Sequence, residues 1–369
     1  MARTKHSSWS FTWLDLLLLA FPFAIVLRFV PAWRNETLLF IIAGIAIVPL
    51  AGWMGRATEQ LAARSGEGIG GFLNATFGNA AELIIALMAL SKGLTGVVKA
   101  SIAGSIIGNL LLVLGISILA GGIRFPKQTF NQTAARSSST SLGLGAIALL
   151  IPAIFHYAAA SRPGGWSIEA EHKLSLAIVL VLFLTYFCSL FFHLFTHREL
   201  FKGPTREEEE THWPLWQSMA ALAVSTALVA VLSEFLVGSI EAARQSLGLT
   251  ETFVGVVIVA LVGNAAEHST AVWAAWKNKM DLSLSIATGS SLQMALFVTP
   301  LLVFCSYGFG TPMTLEFSLP EIASIVLSIW IVGQISGDGE SHWLEGVQLL
   351  SVYVIIAFLF YYLPALPTQ

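Results

Sequence analysis

Apolar stretches recur along the whole chain, broken only by short polar interruptions. Eleven are recognised, at 11–30, 36–53, 70–91, 97–120, 141–158, 174–196, 215–237, 252–276, 281–307, 318–336 and 346–364. Each is long enough to cross the hydrocarbon core of a bilayer as a helix. Helical periodicity inside such a stretch carries little information, because every face is apolar. The helical reading rests on length, and on the need of a chain in lipid to satisfy its backbone N–H and C=O groups within the segment. The predicted fold class is an all-α polytopic membrane protein with eleven transmembrane helices.

Composition agrees. Of 369 residues, 56% are hydrophobic and 11% charged, against about 25% charged in a soluble domain. The net charge of −3 and the lack of a basic run give no reason to expect a nucleic-acid partner. The lipid bilayer is the expected environment. No oligomeric state is read, since any lipid-facing surface is apolar. Cys188 and Cys305 both fall inside apolar stretches and are expected to be small buried hydrophobes, not a disulfide or metal site. The start "MARTKHSSW" leads into an apolar segment with no small-residue cleavage site behind it, so a retained first span is expected.

The longest polar interruption is "THRELFKGPTREEEETHW", with the run Glu207 to Glu210, and reads as a solvated linker. Lys and Arg in the loops set the orientation. With the N-terminus inside, the inner loops hold Arg3, Lys5, Arg56, Arg64, Arg124, Lys127, Arg136, Arg198, Lys202, Arg206, Lys277 and Lys279. The outer loops hold Arg34, Lys92, Lys99, Arg162, Lys173 and Arg244, giving 12 against 6. The N-terminus and the linker are therefore expected in the cytoplasm and the C-terminus outside.

A repeat divides the chain. "GNAAE" occurs at Gly78 and again at Gly263, an offset of 185. Eleven spans parse as one plus five plus five. A five-span half crosses the membrane an odd number of times, so the second half enters from the opposite side, as in the inverted repeats of many secondary transporters. The expected division is a leading helix (1–33), a first five-helix repeat (34–198), an acidic linker (199–213) and a second repeat (214–369). A further echo, "SIA" at Ser101 and Ser285, gives an offset of 184.

The chemistry sits on these motifs. Glu82 lies near the middle of the third span and Glu267 in the matching place in the eighth. A charge at a helix centre costs about 2.5–3.5 kcal/mol, and neither position is close enough to a span end to reach water easily. One buried glutamate is readily explained as a hydrogen-bonded core carboxyl; two at equivalent repeat positions are not. Asn79 shares a helical face with Glu82, and Asn264 with Glu267 and His268. The Gly-Asn pair opening each copy is expected to loosen the helix. In the next spans Ser101, Ser105 and Asn109 form one polar stripe, and Ser290 and Gln293 share a face. The serines fit hydrogen bonding between helices equally well. His268 fits packing, a supporting role beside the site, or proton relay. Glu59, Glu234 and Glu241 follow or end apolar helices and are candidate entry acids, though interfacial acids are common.

Two carboxylates meeting on a pseudo-twofold axis repel, which favours a proton on at least one unless a cation arrives. With a divalent cation both ionise and act as oxygen ligands; without one, protons neutralise them. Such a site carries either load and crosses empty only at high cost, which is antiport. Ca2+ takes about 6–8 oxygen ligands, and two carboxylates, two amide oxygens and backbone carbonyls or waters suffice. No cofactor is expected, Ca2+ and H+ being transported substrates. No hydrolase motif is present, so an enzyme is not expected. A cation channel built on acidic rings is the reading from another class, but no filter-like stretch lies between spans.

"GNAAEL" with "SIAGSIIGNLLLVLG", then "GNAAEHSTAV" with "SIATGSSLQMALFVTP", resemble the two signature repeats of the calcium/proton antiporters of the cation/calcium exchanger superfamily. The resemblance extends over nearly the whole chain, including the one-plus-five-plus-five plan. It implies that Glu82 and Glu267 form the central cation and proton site, lined by Asn79, Asn264, Ser105, Asn109, Ser290 and Gln293. Sodium/calcium exchangers of that superfamily usually carry a proline before the motif glutamate. Ala81 and Ala266 stand there in this chain, which favours proton coupling over the sodium-coupled alternative. The short tails resemble prokaryotic members, implying a plasma-membrane location.

Overall fold

The computed structural model describes residues 13–65, 70, 73, 74, 76–160, 167–197 and 213–364. The run Glu207 to Glu210 and nearly all of the predicted linker lie outside the described residues. Eleven helical segments follow one another and match the predicted spans one for one. A 3-10 stretch, Trp13–Leu19, leads into Ala20–Phe29 to make α1 (13–29). The rest are α2 (Glu36–Arg64), α3 (Ala80–Ser91), α4 (Thr95–Arg124), α5 (Gln132–Ala160) and α6 (Ile168–Thr196), then α7 (Leu215–Leu247), α8 (Glu251–Trp276), α9 (Met280–Gly308), α10 (Leu319–Ile335) and α11 (Trp343–Tyr362). Among the described residues, eight of these are long and apolar enough to cross a membrane, while α3 and α10 are shorter apolar helices.

Local sequence explains most boundaries. Asn35 accepts from Leu38 N (2.9 Å) to cap α2, and Ser167 accepts from Ala170 N (3.1 Å) to cap α6. Gly248, at φ 66°, ends α7 in the left-handed conformation that glycine adopts without a Cβ clash. Two helices run well past their predicted ends, α2 to Arg64 and α7 to Leu247. The sequences "ATEQLAAR" and "SIEAARQSL" are polar but consist largely of good helix formers, so the helix outlasts its apolar part.

The packing is symmetric under exchange of α2–α6 for α7–α11. The long helices α2 and α7 pack along each other; α2 also meets α8, as α7 meets α3. Likewise α4 packs on α8 and α9 on α3, while α5 meets α9 and α10 meets α4. The loops alternate sides as an odd span count requires. On one side, Gln128–Thr129 pairs antiparallel with Glu340–Ser341. Gln128 Nε2 there donates to Ala275 O (2.8 Å) and Asn278 Oδ1 (3.0 Å). On the opposite side, Lys99 Nζ donates to Thr314 Oγ1 (3.3 Å) and Thr250 Oγ1 to Phe360 O (3.2 Å).

α1 lies outside this symmetry and is pinned at both ends. Its buried Asp15 accepts from Trp53 Nε1 (2.8 Å) and Arg56 Nη2 (3.1 Å), and the Arg56 guanidinium lies over the Trp53 ring (4.5 Å). At the other end Phe29 packs edge-on against Phe235 of α7 (6.1 Å). A carboxylate inside an apolar span needs such a partner set, and the sequence reading had not singled out Asp15. Cys188, expected to be buried, is exposed on α6, and Cys305 is half-buried. An apolar thiol costs nothing on a surface that faces lipid.

The closest helix contact is a glycine seam between α4 and α8. A methyl group on Gly104 would run into the Val256 backbone, and one on Gly255 would lie 3.0 Å from Val97 O. Small residues let helix backbones touch in lipid, where dispersion replaces the hydrophobic drive. Gly104→Leu is expected to pry the seam apart and destabilise the protein by roughly 1–3 kcal/mol. Gly143→Ala faces open space in α5 and is expected to raise stability slightly, by up to about 1 kcal/mol, as alanine is the better helix former; thermal unfolding in detergent compares the two.

Candidate functional site

The two copies of "GNAAE" share one sequence but not one backbone. In the first, Gly78 and Asn79 form a turn, and α3 starts only at Ala80. In the second, Gly263 and Asn264 sit inside the unbroken helix Ala260–Trp276. The loosening predicted for both copies thus occurs only in the first. α8 instead carries a wide π-helical turn at Val254–Val259, a little upstream. Identical residues thus take different backbones, so the surroundings of each copy and not the motif decide whether its helix is interrupted.

The candidate polar residues of both repeats meet in one network. Asn264 Nδ2 donates to Ser105 Oγ (2.8 Å), and Ser290 Oγ donates to Asn79 Oδ1 (2.8 Å). The two bonds are the same cross-repeat pair, since Asn79 and Ser105 shifted by 185 residues are Asn264 and Ser290. The second echo therefore also runs at 185, one residue away from the "SIA" alignment; the equivalent pieces are Gly104-Ser105 and Gly289-Ser290. Asn109 Nδ2 bridges to Asn264 Oδ1 (3.1 Å) and Ser290 Oγ (3.0 Å), and Asn79 Nδ2 donates to Gln293 Oε1 (2.6 Å). Matched π-helical turns, Gly108–Val113 in α4 and Met294–Val298 in α9, flank the network. Such turns arise where an extra residue is accommodated in a helix, often at functional sites. Nothing in the apolar sequence announces them.

The glutamates lie against this network. Glu82 is 8% exposed, and its Oε1 is sealed with no hydrogen-bond partner. Oε2 of Glu267 is likewise sealed and unpartnered, and Ser290 stands beside that carboxylate. The two carboxylates are near enough for their charges to act on each other. Buried polar atoms rarely go unpaired, so a carboxylate oxygen from each repeat in this state needs a physical reason.

Equivalent positions in the two repeats differ in exposure. On α4, Val97 and Ala100 are each 1% exposed, sealed by the seam. Their equivalents on α9 are Leu282, 42% exposed, and Ser285, also exposed. Among the described residues nothing lies within 4 Å of a methyl group placed on Gly289, the counterpart of Gly104. Among the described residues, the α4 face on the Lys99 side is sealed, while toward the Gln128 side Gly78, Glu267 and Gln293 are only half-buried.

Other candidates lie further out. Ser101 donates to Val98 O (2.9 Å) and lines a small cavity with Glu82 and Ala86. His268 faces another cavity with Asn264, Gly108 and Tyr353, its Nε2 buried and unpartnered. The three candidate entry acids do not join the network. Glu59 and Glu234 are exposed on α2 and α7, and Glu241 is taken by Arg244 (2.6 Å) and Gln245 (2.5 Å) on its own helix.

Comparison with known proteins agrees with this architecture. Residues 35–195 and 217–362 match the family model described as sodium/calcium exchanger protein. The chain belongs to that family. As the family resemblance implied, its relatives include a "Ca(2+)/H(+) antiporter" of Synechocystis sp., 45% identical over 362 residues, covering 92% of this chain and 95% of that protein. The "Ca(2+)/H(+) antiporter ChaA" of Bacillus subtilis is 45% identical over 333 residues, covering 89% and 93%. The solved structure of native YfkE superposes with a TM-score of 0.82 at 40% identity, over 95% of this chain and all of that one (100%). That of the H+/Ca2+ exchanger CAX, at 14% identity and TM-score 0.69 over 94% and 91% of the two chains, shares the fold. This member of the exchanger family is an integral membrane protein.

If the cross-repeat pairs are equivalent, they should contribute equally. Double-mutant cycles for Asn79→Ala with Ser290→Ala, and for Asn264→Ala with Ser105→Ala, are each expected to give a coupling of about 0.6 kcal/mol, with an upper limit near 1.7. Unfolding in detergent measures both.

Proposed function

We propose that this protein is a secondary antiporter that exchanges Ca2+ for H+ at a midplane site built from Glu82 and Glu267. The observation that carries the reading is the pair of repeat-related carboxylates, each with a sealed and unpartnered oxygen, set in a ring of amide and hydroxyl oxygens. The names of its relatives point to the same substrates. Relatives at 45% identity are bacterial, which supports a plasma-membrane location; the excess of Lys and Arg in the inner loops is what supports an N-terminus and linker in the cytoplasm.

The chemistry follows from the cost of charge. Two ionised carboxylates in the membrane with nothing between them pay desolvation twice and repel each other. Ca2+ removes both penalties, accepting oxygens at about 2.3–2.6 Å; Glu82, Glu267 and the amide oxygens of Asn79 and Asn264 are the ligands proposed, with Ser105, Asn109, Ser290 and Gln293 orienting them. Protons remove the penalties as well. The site therefore moves between sides loaded with one or the other, and each load displaces the other. His268 and Ser101 are proposed as supporting or proton-relaying groups, and Glu59, Glu234 and Glu241 at most as outlying cation-gathering charges.

The unequal seams support alternating access. Val97 and Ala100 on α4 are sealed while their equivalents on α9, Leu282 and Ser285, are exposed, and an exchange of these two environments would open the site to the other side.

Reconstituted vesicles with an imposed pH gradient are expected to take up radiolabelled Ca2+, and Glu82→Gln or Glu267→Gln to abolish uptake. Uptake indifferent to the pH gradient, or driven equally by a sodium gradient, would refute proton coupling. Access is tested separately in a Cys188→Ser, Cys305→Ser background. An impermeant thiol reagent should modify Ser285→Cys and Ala100→Cys from opposite sides. As Ca2+ and pH are varied, one rate should rise while the other falls; rates that move together would rule out the exchange of conformations.

A further inference from the structure

The glycine of the second motif lies under the glutamate of the first repeat. A methyl group on Gly263 would stand 2.7 Å from Glu82 Cγ, 3.4 Å from Cδ and 3.6 Å from Cα. The bare backbone of α8 at Gly263 is thus the surface on which the Glu82 side chain rests. The equivalent position differs: a methyl group on Gly78 would first meet Asn74 O of its own turn, at 2.8 Å, and Glu267 Oε1 only at an ordinary 3.7 Å, so Gly78 is not a matching seat.

The placement has a consequence for the site. Gly263 is four residues before Glu267 on one face of α8, just over one helical turn away, a rise of about 6 Å. A Glu82 resting on Gly263 is therefore held one turn from the root of Glu267, where one cation can take oxygens from both. A side chain at 263 would lift Glu82 off α8 at its Cγ, the root of the carboxylate. Ligand shells for Ca2+ tolerate only a few tenths of an ångström in distance, so this displacement removes a ligand.

We propose that Gly263 is a positioning residue, the seat on the second repeat for the glutamate of the first. Small size, not helix loosening, is what the glycine of the second motif supplies, since the helix there is unbroken. The inference rests on reading the paired glutamates as the cation site.

The test uses the full-length protein and the variants Gly263→Ala, Glu82→Ala and their combination. With Glu82 present, Gly263→Ala is expected to lower the melting temperature. With Glu82→Ala, which removes Cγ and the carboxyl, the same change should raise it, because alanine is the better helix former. A fall of equal size in both backgrounds overturns the seat. If Gly263→Ala alone does not fold, the combination with Glu82→Ala should recover folded protein, and failure to do so overturns the proposal too. In direct Ca2+ binding, Gly263→Ala should raise the half-saturating concentration about tenfold or more, as expected for a lost ligand; an unchanged value also overturns it. The melting comparison needs no Ca2+, so it reports on the seat even if the wild-type protein shows no proton-driven Ca2+ flux, which would count against the proposed function alone.

Discussion

The architecture turns on the cost of an unpaired charge in hydrocarbon. A chain with 11% charged residues that keeps an acid inside an apolar helix has to provide for it. Asp15 is provided for internally, by Trp53 and Arg56. Glu82 and Glu267 are not: each has an oxygen sealed from solvent with no internal donor. The same physical constraint thus yields two outcomes. The paired acid pins a helix, while the unpaired acids fit a site meant to be filled by something that moves.

What brings the unpaired acids together is close packing through residues without side chains. Helices in lipid gain little from burying apolar surface against one another, so they associate where backbones can touch. Gly104 and Gly255 let α4 and α8 meet along one seam, and Gly263 lets Glu82 lie on α8. The serine and asparagine side chains then close the space between the repeats with reciprocal hydrogen bonds. The equivalent face of α9, from Leu282 to Gly289, has no such cover among the described residues, which leaves the approach to Glu267 partly open.

The candidate site was largely legible because polar residues are conspicuous in an apolar chain. Asn79, Asn264, Ser105, Ser290, Asn109 and Gln293 all enter the predicted network. The errors have a common cause. Aligning on "SIA" slipped the second echo by one residue, because sequence identity weighs Ile and Ala as heavily as the Gly-Ser pair that makes the contacts. Glu241, a candidate entry acid, is held by Arg244 and Gln245 on its own helix. The partners of Asp15 come from α2, about 40 residues away, and no spacing within its own span points to them.

Membrane class, the number of spans, the inverted repeat and the identity of the polar residues within it follow from the order of residues alone. Length, apolarity and exact repetition record those properties directly, since lipid leaves the backbone no alternative to the helix. Only the tertiary structure decided which "GNAAE" would break its helix and which would not, which seam would close, and which glycine would carry a glutamate. Those depend on contacts between segments about 185 residues apart. Two identical motifs can differ there because each is shaped by a partner helix that its own residues do not specify.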